Sequence, residues 1–156
     1  MSRNQGFSLL ELLIVIAIFG ILAGIMTPSF LQWRDRSKVK GDASELRAVF
    51  ESAKLRAIKH NTNVVVTFPD TTSYQAFIDT NESGARDAGE DILITRTLSP
   101  GVTITTNTFA DSDMAFNPRG MANGPNSTGS ITMTSPGGEN YRVVVSSFGR
   151  VRIERL

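Results

Sequence analysis

The sequence contains no cysteine and only one histidine and one tryptophan. The lack of cysteine excludes disulfides, thiolate nucleophiles and cysteine-ligated metal centres, and a single histidine cannot form a histidine-based metal cage. An excess of one charge is also missing, because 16 basic and 15 acidic side chains give a net charge of +1. This balance gives no argument for nucleic-acid or membrane-surface binding by the whole chain, and 156 residues fit one ordinary domain.

Groups typical of catalysis are also few. The single histidine, His60, falls near the expected end of a helix, where we predict a solvated or capping role. The sequence shows no Ser–His–Asp set, no phosphate-binding glycine loop and no carboxylate pair in an evident cleft. We therefore predict that the protein is not an enzyme and holds no cofactor, apart from the calcium ion considered below.

One long apolar run dominates the N-terminal part of the sequence. Leu12–Met26 carries no polar side chain. A helix of about 20 apolar residues reaches about 30 Å, the thickness of the hydrocarbon core of a bilayer. This length and the missing polar stripe favour a membrane-spanning helix over a buried helix of a soluble core. The residues that follow form a poor small-x-small site, which favours a retained span over a cleaved secretory signal.

Two glycines within this run and one glutamate at its edge indicate that the helix packs against other helices. Gly20 and Gly24 form a G-x-x-x-G pair, which lets neighbouring backbones approach closely in lipid. Glu11 places a carboxylate at the edge of the run, where a charge is costly and usually has a partner. An amine, a basic side chain or a polar headgroup would satisfy it.

Basic residues after the run bear on its orientation. Four of them lie within residues 34–40, opposed by Asp35, whereas Arg3 and the amino terminus supply the positive charge before the run. By the positive-inside rule alone, the carboxyl side of the span would face the cytoplasm.

The pattern then becomes that of an amphipathic helix. Apolar residues recur at three and four positions along one face: Val39, Ala43, Leu46, Phe50, Ala53 and Ala57. No Gly/Pro cluster separates this segment from the apolar run. The sequence therefore predicts one helix from about Phe7 to His60, with a bend at Pro28 because proline removes one intrahelical hydrogen bond.

From Asn63 onward the residues favour short strands. The predicted strands are Val64–Phe68, Tyr74–Asp79, Ile92–Leu98, Val102–Thr106, Met114–Asn117, Ser130–Thr134, Tyr141–Ser146 and Arg150–Glu154. Turn-rich pieces separate them. One long N-terminal helix followed by strands predicts an α+β fold, in which the amphipathic half of the helix packs on an antiparallel sheet.

The N-terminal residues resemble the start of type IV prepilins. The pattern of that family is a short charged leader, a glycine, an aromatic first mature residue and a glutamate at the fifth mature position. Gly6, Phe7 and Glu11 stand at this spacing, and Pro28 stands where many pilins carry a kinking proline. The resemblance implies cleavage after Gly6 by a prepilin peptidase, methylation of the Phe7 amine, and assembly with other pilins into a filament.

This resemblance also implies that the carboxyl side of the span is extracytoplasmic. The positive-inside rule predicts the opposite, and we follow the motif because the rule is a statistical bias. In a filament, the Glu11 carboxylate would pair with the N-terminal ammonium of a neighbouring Phe7. Desolvation offsets much of that attraction, so the pair is expected to set register more than to add stability.

The second half of the chain is similar to the GspH/FimT family of minor pseudopilins. The similarity rests on the FNPRG segment Phe116–Gly120, on Tyr141–Ser146, on the GRVR segment Gly149–Arg152 and on the acidic loop Asp79–Glu90. The implied function is a minor subunit of a type II secretion pseudopilus or a type IV pilus. The sequence does not choose between these two systems.

Together the two resemblances imply a type IV pilin-like architecture. A leader at residues 1–6 precedes a transmembrane and filament-core half of the helix at residues 7–33 and a periplasmic α+β head at residues 34–156. The implied location is the bacterial inner membrane, with a single span, and the filament after assembly. The implied partners are other pilins or pseudopilins, the prepilin peptidase and the membrane.

The GRVR segment raises DNA as a further candidate partner. It fits the G-R-x-R pattern of the DNA-uptake branch of the family. On a strand, Arg150 and Arg152 would point to one face while Val151 and Ile153 face the core, and Arg142 could add charge nearby. The alternative is a solvated terminal strand whose arginines pair with acidic groups or protect a sheet edge.

The acidic loop has an alternative role as a calcium site. Its oxygen-bearing residues match the spacing of an EF-hand loop: Asp79, Asn81, Ser83, Asp87 and Glu90. Against calcium, the flanking segments are predicted strands and not helices. An acidic connection between two strands is the simpler interpretation.

Overall fold

The computed structural model describes residues 8–109, 113–123 and 128–156, without the side chains of residues 25–28. It divides into two compact units, one ending at Arg34 and one from Asp35 to Leu156. The predicted leader, span and head lie along the same chain, and their functional assignment stays a prediction.

One helix, α1 (Leu9–His60), begins in the first unit and ends in the second. The prediction of a helix to His60 is confirmed, and helical backbone continues through Pro28. The bend predicted at Pro28 stays a prediction, because the side chain of Pro28 lies outside the described residues. The helix ends because Asn61 adopts a left-handed conformation with φ 52°, and the Thr62 N–H donates to the Ala57 carbonyl at 3.2 Å. This bond satisfies one of the terminal carbonyls.

Nine strands follow in the described part of the chain. They are β1 (Asn63–Thr67), β2 (Ser73–Asp79), β3 (Ile92–Thr97), β4 (Thr103–Asn107), β5 (Asp113–Phe116), β6 (Ala122–Asn123), β7 (Gly129–Thr134), β8 (Asn140–Val145) and β9 (Val151–Arg155). All eight predicted strands are confirmed to within one residue at each end. The additional strand, β6, is a two-residue pairing inside a segment that was predicted as a loop.

The strands form two antiparallel sheets, where the sequence pattern indicated one. The first sheet has the order β3-β2-β1-β5-β6, and the second has the order β4-β7-β8-β9. Neighbouring strands are antiparallel in both. The difference arises because alternation along a strand sets which face is buried and not which strands pair.

One hydrophobic core joins the second half of α1 to both sheets. The six residues predicted for the buried face of the helix are each at most 1% exposed, which confirms the prediction. Phe50 lies among aromatic rings from both sheets. Its ring centroid is 6.2 Å from that of Phe116 in β5 and 6.1 Å from that of Phe109, which follows β4. The predicted α+β class is therefore confirmed.

A buried acid ties the helix to the connection between β3 and β4. Asp42 is 7% exposed, and its carboxylate accepts hydrogen bonds from the Ser99 N–H at 3.1 Å and the Ser99 hydroxyl at 2.9 Å. Burial raises the pKa of Asp42, and the two hydrogen bonds from Ser99 act in the opposite direction. The net shift of the Asp42 pKa is upward, so the loss of hydration of the charged carboxylate outweighs its hydrogen bonds to Ser99.

Candidate functional site

The first half of α1 exposes its apolar side chains. Its most apolar stretch of 18 residues has a mean hydropathy of 2.8, and none of that stretch is buried by the rest of the chain. By length and composition, this helix can cross a membrane. An apolar surface of this size is also where a helix can meet other proteins within a membrane.

The predicted assembly residues lie on this exposed segment. Glu11, Gly20 and Gly24 are all exposed, and no atom lies within 4 Å of the position of a Cβ at either glycine. The two glycines are four residues apart, so they lie on the same face of the helix. That face can accept the backbone of a second helix at close range. The side chain of Pro28 and all of residues 1–7, with the processing residues Gly6 and Phe7, lie outside the described residues.

The FNPRG and GRVR segments meet at the end of the sheets where α1 finishes. A Cβ at Gly149 would clash with the carbonyl oxygen of Gly120, so the two backbones can touch because Gly149 lacks a side chain. A Cβ at Gly120 would in turn lie 2.8 Å from Ile58 and 3.3 Å from Lys54, both on α1. We call Lys54, Ile58, Gly120 and Gly149 the motif junction.

Hydrogen bonds fix the β8–β9 turn at this junction. The Gly149 N–H donates to the Ser146 carbonyl at 2.8 Å, and Lys54 Nζ donates to the Gly149 carbonyl at 3.1 Å. The Ala122 N–H of β6 donates to the Ser147 carbonyl at 3.1 Å. The turn is thus bonded to the helix on one side and to the first sheet on the other.

The three arginines proposed for DNA are only partly brought together. Arg142 of β8 and Arg152 of β9 line an open groove of about 330 Å³ on the outer face of the second sheet. Arg150 precedes β9 and is not among the residues that line the groove. Arg152 Nε also pairs with Glu154 Oε1 at 2.8 Å, which neutralises part of the charge.

The remainder of the prediction for β9 is confirmed. Val151 is buried, and Ile153 packs against the core while Arg152 stays exposed. The alternative interpretation, a terminal strand whose arginines pair with acidic groups, therefore matches the observed Arg152–Glu154 and Arg155–Glu139 ion pairs.

The acidic loop between β2 and β3 is closed by its own hydrogen bonds. The buried Asp79 carboxylate accepts from the N–H groups of Ser83 at 3.1 Å and Gly84 at 2.9 Å. Buried Glu90 accepts from the Asp87 N–H at 2.9 Å. These carboxylates therefore satisfy backbone donors of the loop.

The other predicted calcium ligands are engaged in the same way. The Asp87 carboxylate accepts from Asn81 Nδ2 at 2.7 Å and from the Ser83 hydroxyl at 2.8 Å, and these bonds lower the pKa of Asp87. In residues 8–109, 113–123 and 128–156, no group of three or more acidic or histidine side chains is arranged to hold a metal ion. Calcium binding stays a prediction, and the geometry does not support it.

Two models of known protein families match this chain, one over most of the head and one over the N-terminal residues. The family model described as Type II transport protein GspH matches residues 42–149, which include the FNPRG segment and end at Gly149, the first residue of the GRVR segment. The chain belongs to the GspH family. A second model, the prokaryotic N-terminal methylation motif, matches residues 1–27. The predicted resemblance to pilin-like proteins is thus confirmed at both ends of the chain.

Relatives of this GspH-family chain are named as pilins and secretion proteins. Pilin-like protein PilA1 of Thermus thermophilus is 31% identical over 97% of this chain and 99% of its own length. Type II secretion system core protein G of Klebsiella pneumoniae is 38% identical over 35% of this chain and 41% of that protein. The family is one of structural pilins and pseudopilins, and the absence of enzymatic activity in this chain stays a prediction.

Two solved structures share the fold. The type IV minor pilin FimU of Pseudomonas aeruginosa aligns with a TM-score of 0.61 at 17% identity, over 78% of this chain and 92% of that chain. The minor pseudopilin EpsH of the Vibrio cholerae type 2 secretion system aligns with a TM-score of 0.59 at 14% identity, over 76% of this chain and 97% of that chain. The predicted pilin-like architecture is confirmed by both.

The sequence did not indicate that the two motifs form one junction. Each motif contains a glycine, but a glycine in a turn is common and names no contact partner. One signal in the sequence could have drawn attention to this region. Phe148 is an aromatic residue beside Gly149 in a turn, where a buried core residue is not expected.

Proposed function

We propose that this GspH-family chain is a minor subunit of a filament that assembles from the membrane, either a type II secretion pseudopilus or a type IV pilus. One combination supports this. The chain matches the N-terminal methylation motif over residues 1–27, and its helix carries an apolar half that its own fold leaves unburied. A subunit that moves from lipid into a bundle of similar helices requires both features.

In this proposal, a prepilin peptidase cleaves after Gly6, and the new amine of Phe7 is methylated. The apolar half of α1 anchors the protein in the bacterial inner membrane as a single span, with the C-terminal head in the periplasm. During assembly, Glu11 pairs with the ammonium of a neighbouring Phe7 and sets the register of the two helices. Gly20 and Gly24 then allow close helix packing.

A DNA-binding minor pilin is the alternative function, and no comparison supports it. The guanidinium of Arg152 is paired with Glu154, and Arg150 lies apart from the groove that Arg142 and Arg152 line. Filament assembly without a DNA contact is therefore the function that the geometry supports best.

Intact-mass measurement of the full-length protein from its native membrane tests this proposal. We expect a mature chain that begins at Phe7 and carries one added methyl group. Gly6→Ala should leave most of the protein unprocessed, whereas Gln5→Ala, at the neighbouring position, should be processed normally. A chain that keeps Met1, or one cut near Ser29, would remove the filament proposal.

A further inference from the structure

The β8–β9 turn displays an exposed aromatic side chain on a backbone that is held by hydrogen bonds. Phe148 is 79% exposed, although the backbone around it is held by the bonds from Gly149 to Ser146 and from Lys54 to Gly149. Because the backbone of the turn is already ordered, covering this side chain with a partner requires little further ordering of the chain. Nothing in the described core requires an aromatic residue at this position.

Two further apolar side chains are exposed on the adjoining part of α1. Leu55 is 64% exposed and Ile58 is 47% exposed, and their three-residue spacing puts them side by side on the helix. Ile58 lies against Gly120, and Gly120 lies against Gly149, the neighbour of Phe148. These backbone contacts place the three exposed side chains around the motif junction, and we call the three of them the patch. Exposed apolar side chains gathered in one region are typical of an interaction surface.

Positive charge borders this patch. Arg119 directly precedes Gly120, Arg150 directly follows Gly149, and both arginines are exposed. Lys54 Nζ donates a hydrogen bond to the Gly149 carbonyl, next to Arg150 in the chain. Neither arginine has a carboxylate partner among the described residues, in contrast to Arg152 with Glu154. Aromatic and arginine side chains are the residue types that dominate binding energy at protein interfaces.

We propose that Leu55, Ile58 and Phe148, with Lys54, Arg119 and Arg150, form a docking surface for a second pilin-like subunit whose facing surface places carboxylates around an apolar pocket. The inference rests on the proposed function as a filament subunit. Charge complementarity identifies the partner as acidic. A symmetric contact with a second copy of this chain is disfavoured, because it would bring the same three cations together.

The absence of native cysteine allows a specific crosslinking experiment. Ser147→Cys places one thiol next to Phe148 in the full-length chain. A thiol-linked photocrosslinker is attached in native membranes that contain the pilin-like subunits encoded in the same genome. We expect an adduct with one of those subunits, identified by mass spectrometry of the linked peptides, with an acidic peptide at the attachment site.

Matched variants test the chemistry of the surface. Phe148→Ser should reduce the adduct about tenfold or more, as expected for a hot-spot side chain. Ile92→Ser, at an exposed apolar residue of β3, should not reduce it. Arg150→Glu should also reduce the adduct, whereas Arg86→Glu in the acidic loop should not. All four variants alter exposed side chains, so their melting temperatures should match that of the parent.

The outcomes separate this inference from the proposed function. An adduct that depends on Phe148 and Arg150 supports the docking surface. If Phe148→Ser crosslinks normally, or if the processed parent gives no adduct or an adduct with its own copy, DNA or lipid, the inference is overturned while filament assembly stands. A parent chain that is neither cut after Gly6 nor incorporated with other pilins would contradict the proposed function itself.

Discussion

Gly149 and Gly138 both adopt positive φ, yet their surroundings differ. Gly149→Ala should lower the free energy of unfolding by about 2–3 kcal/mol, because backbone strain is added to a clash with the Gly120 carbonyl. Gly138→Ala has no atom within 4 Å of its Cβ, so it should cost about 1 kcal/mol from strain alone. Urea unfolding of the full-length protein in detergent, followed by near-ultraviolet circular dichroism, compares the two. Equal losses would show that the junction contact is not tight.

Asp42 should make the stability of the head depend on pH in an unusual direction. Because burial raises its pKa in the folded state, the folded protein binds the proton more tightly than the unfolded chain does. The contribution of Asp42 to the free energy of unfolding should therefore increase as pH falls through the raised pKa, and level off below the ordinary value. The difference between wild type and Asp42→Asn, measured from about pH 7 to about pH 3, reports this.

Asp42→Ala supplies the matched control for that titration. It leaves the Ser99 N–H without its acceptor and should lower the free energy of unfolding by about 1–3 kcal/mol at neutral pH. If acidification instead lowers the free energy of unfolding of wild type relative to that of Asp42→Asn, the upward pKa shift is contradicted.

Individual elements were well predicted where the pattern is local. The heptad-like spacing from Val39 to Ala57 identified the buried helix face, and the two-residue period located eight strands. β6 could not be found this way, because two residues carry no period. β9 begins at Val151, one residue later than predicted. The contact of Gly149 with Gly120 also could not be predicted, because the two glycines are distant in sequence.

The acidic loop is an element whose fold should not need a metal. Asp79→Ala removes the acceptor of the Gly84 N–H and one of the two acceptors of the Ser83 N–H, and it should lower the free energy of unfolding by about 1–3 kcal/mol. Glu82→Ala, at an exposed residue of the same loop, should change it little. For wild type, the melting temperature in millimolar calcium should equal that with a chelator. A clear rise with calcium would restore the EF-hand-like interpretation.

At the scale of the whole molecule, Glu11 separates membrane insertion from assembly. Glu11→Leu makes the span more apolar, so the protein should still insert. Its incorporation beside other pilins should nevertheless fall, because the ammonium of a neighbouring Phe7 loses its counter-charge. Val15→Leu, an apolar exchange on the same helix, serves as the control. Quantitative immunoblots of sheared filaments and of membranes measure both steps, and normal assembly of Glu11→Leu would exclude the pairing.

The arrangement of the whole molecule was the least accessible to sequence reasoning. Period-two patterns do not encode partners, so the division of the strands into two sheets required the long-range pairings themselves. The charges flanking the span predicted one orientation and the prepilin-like residues the other. The patch around Phe148 depends on contacts between α1, the FNPRG segment and the last turn, which no single segment reveals.

The exposed apolar half of α1 has a consequence for how assembly is driven. Lipid tails and the side chains of neighbouring helices are almost equally apolar, so moving this segment from a bilayer into a filament changes its contact with water very little. Under the proposed function, this transfer would be an exchange between two apolar surroundings with a small net free energy. Close packing at Gly20 and Gly24, whose faces are open, and the proposed ion pair of Glu11 would set that free energy. An equilibrium balanced in this way would respond in either direction to modest mechanical work, so we expect the proposed filament to be able to take up and release this subunit.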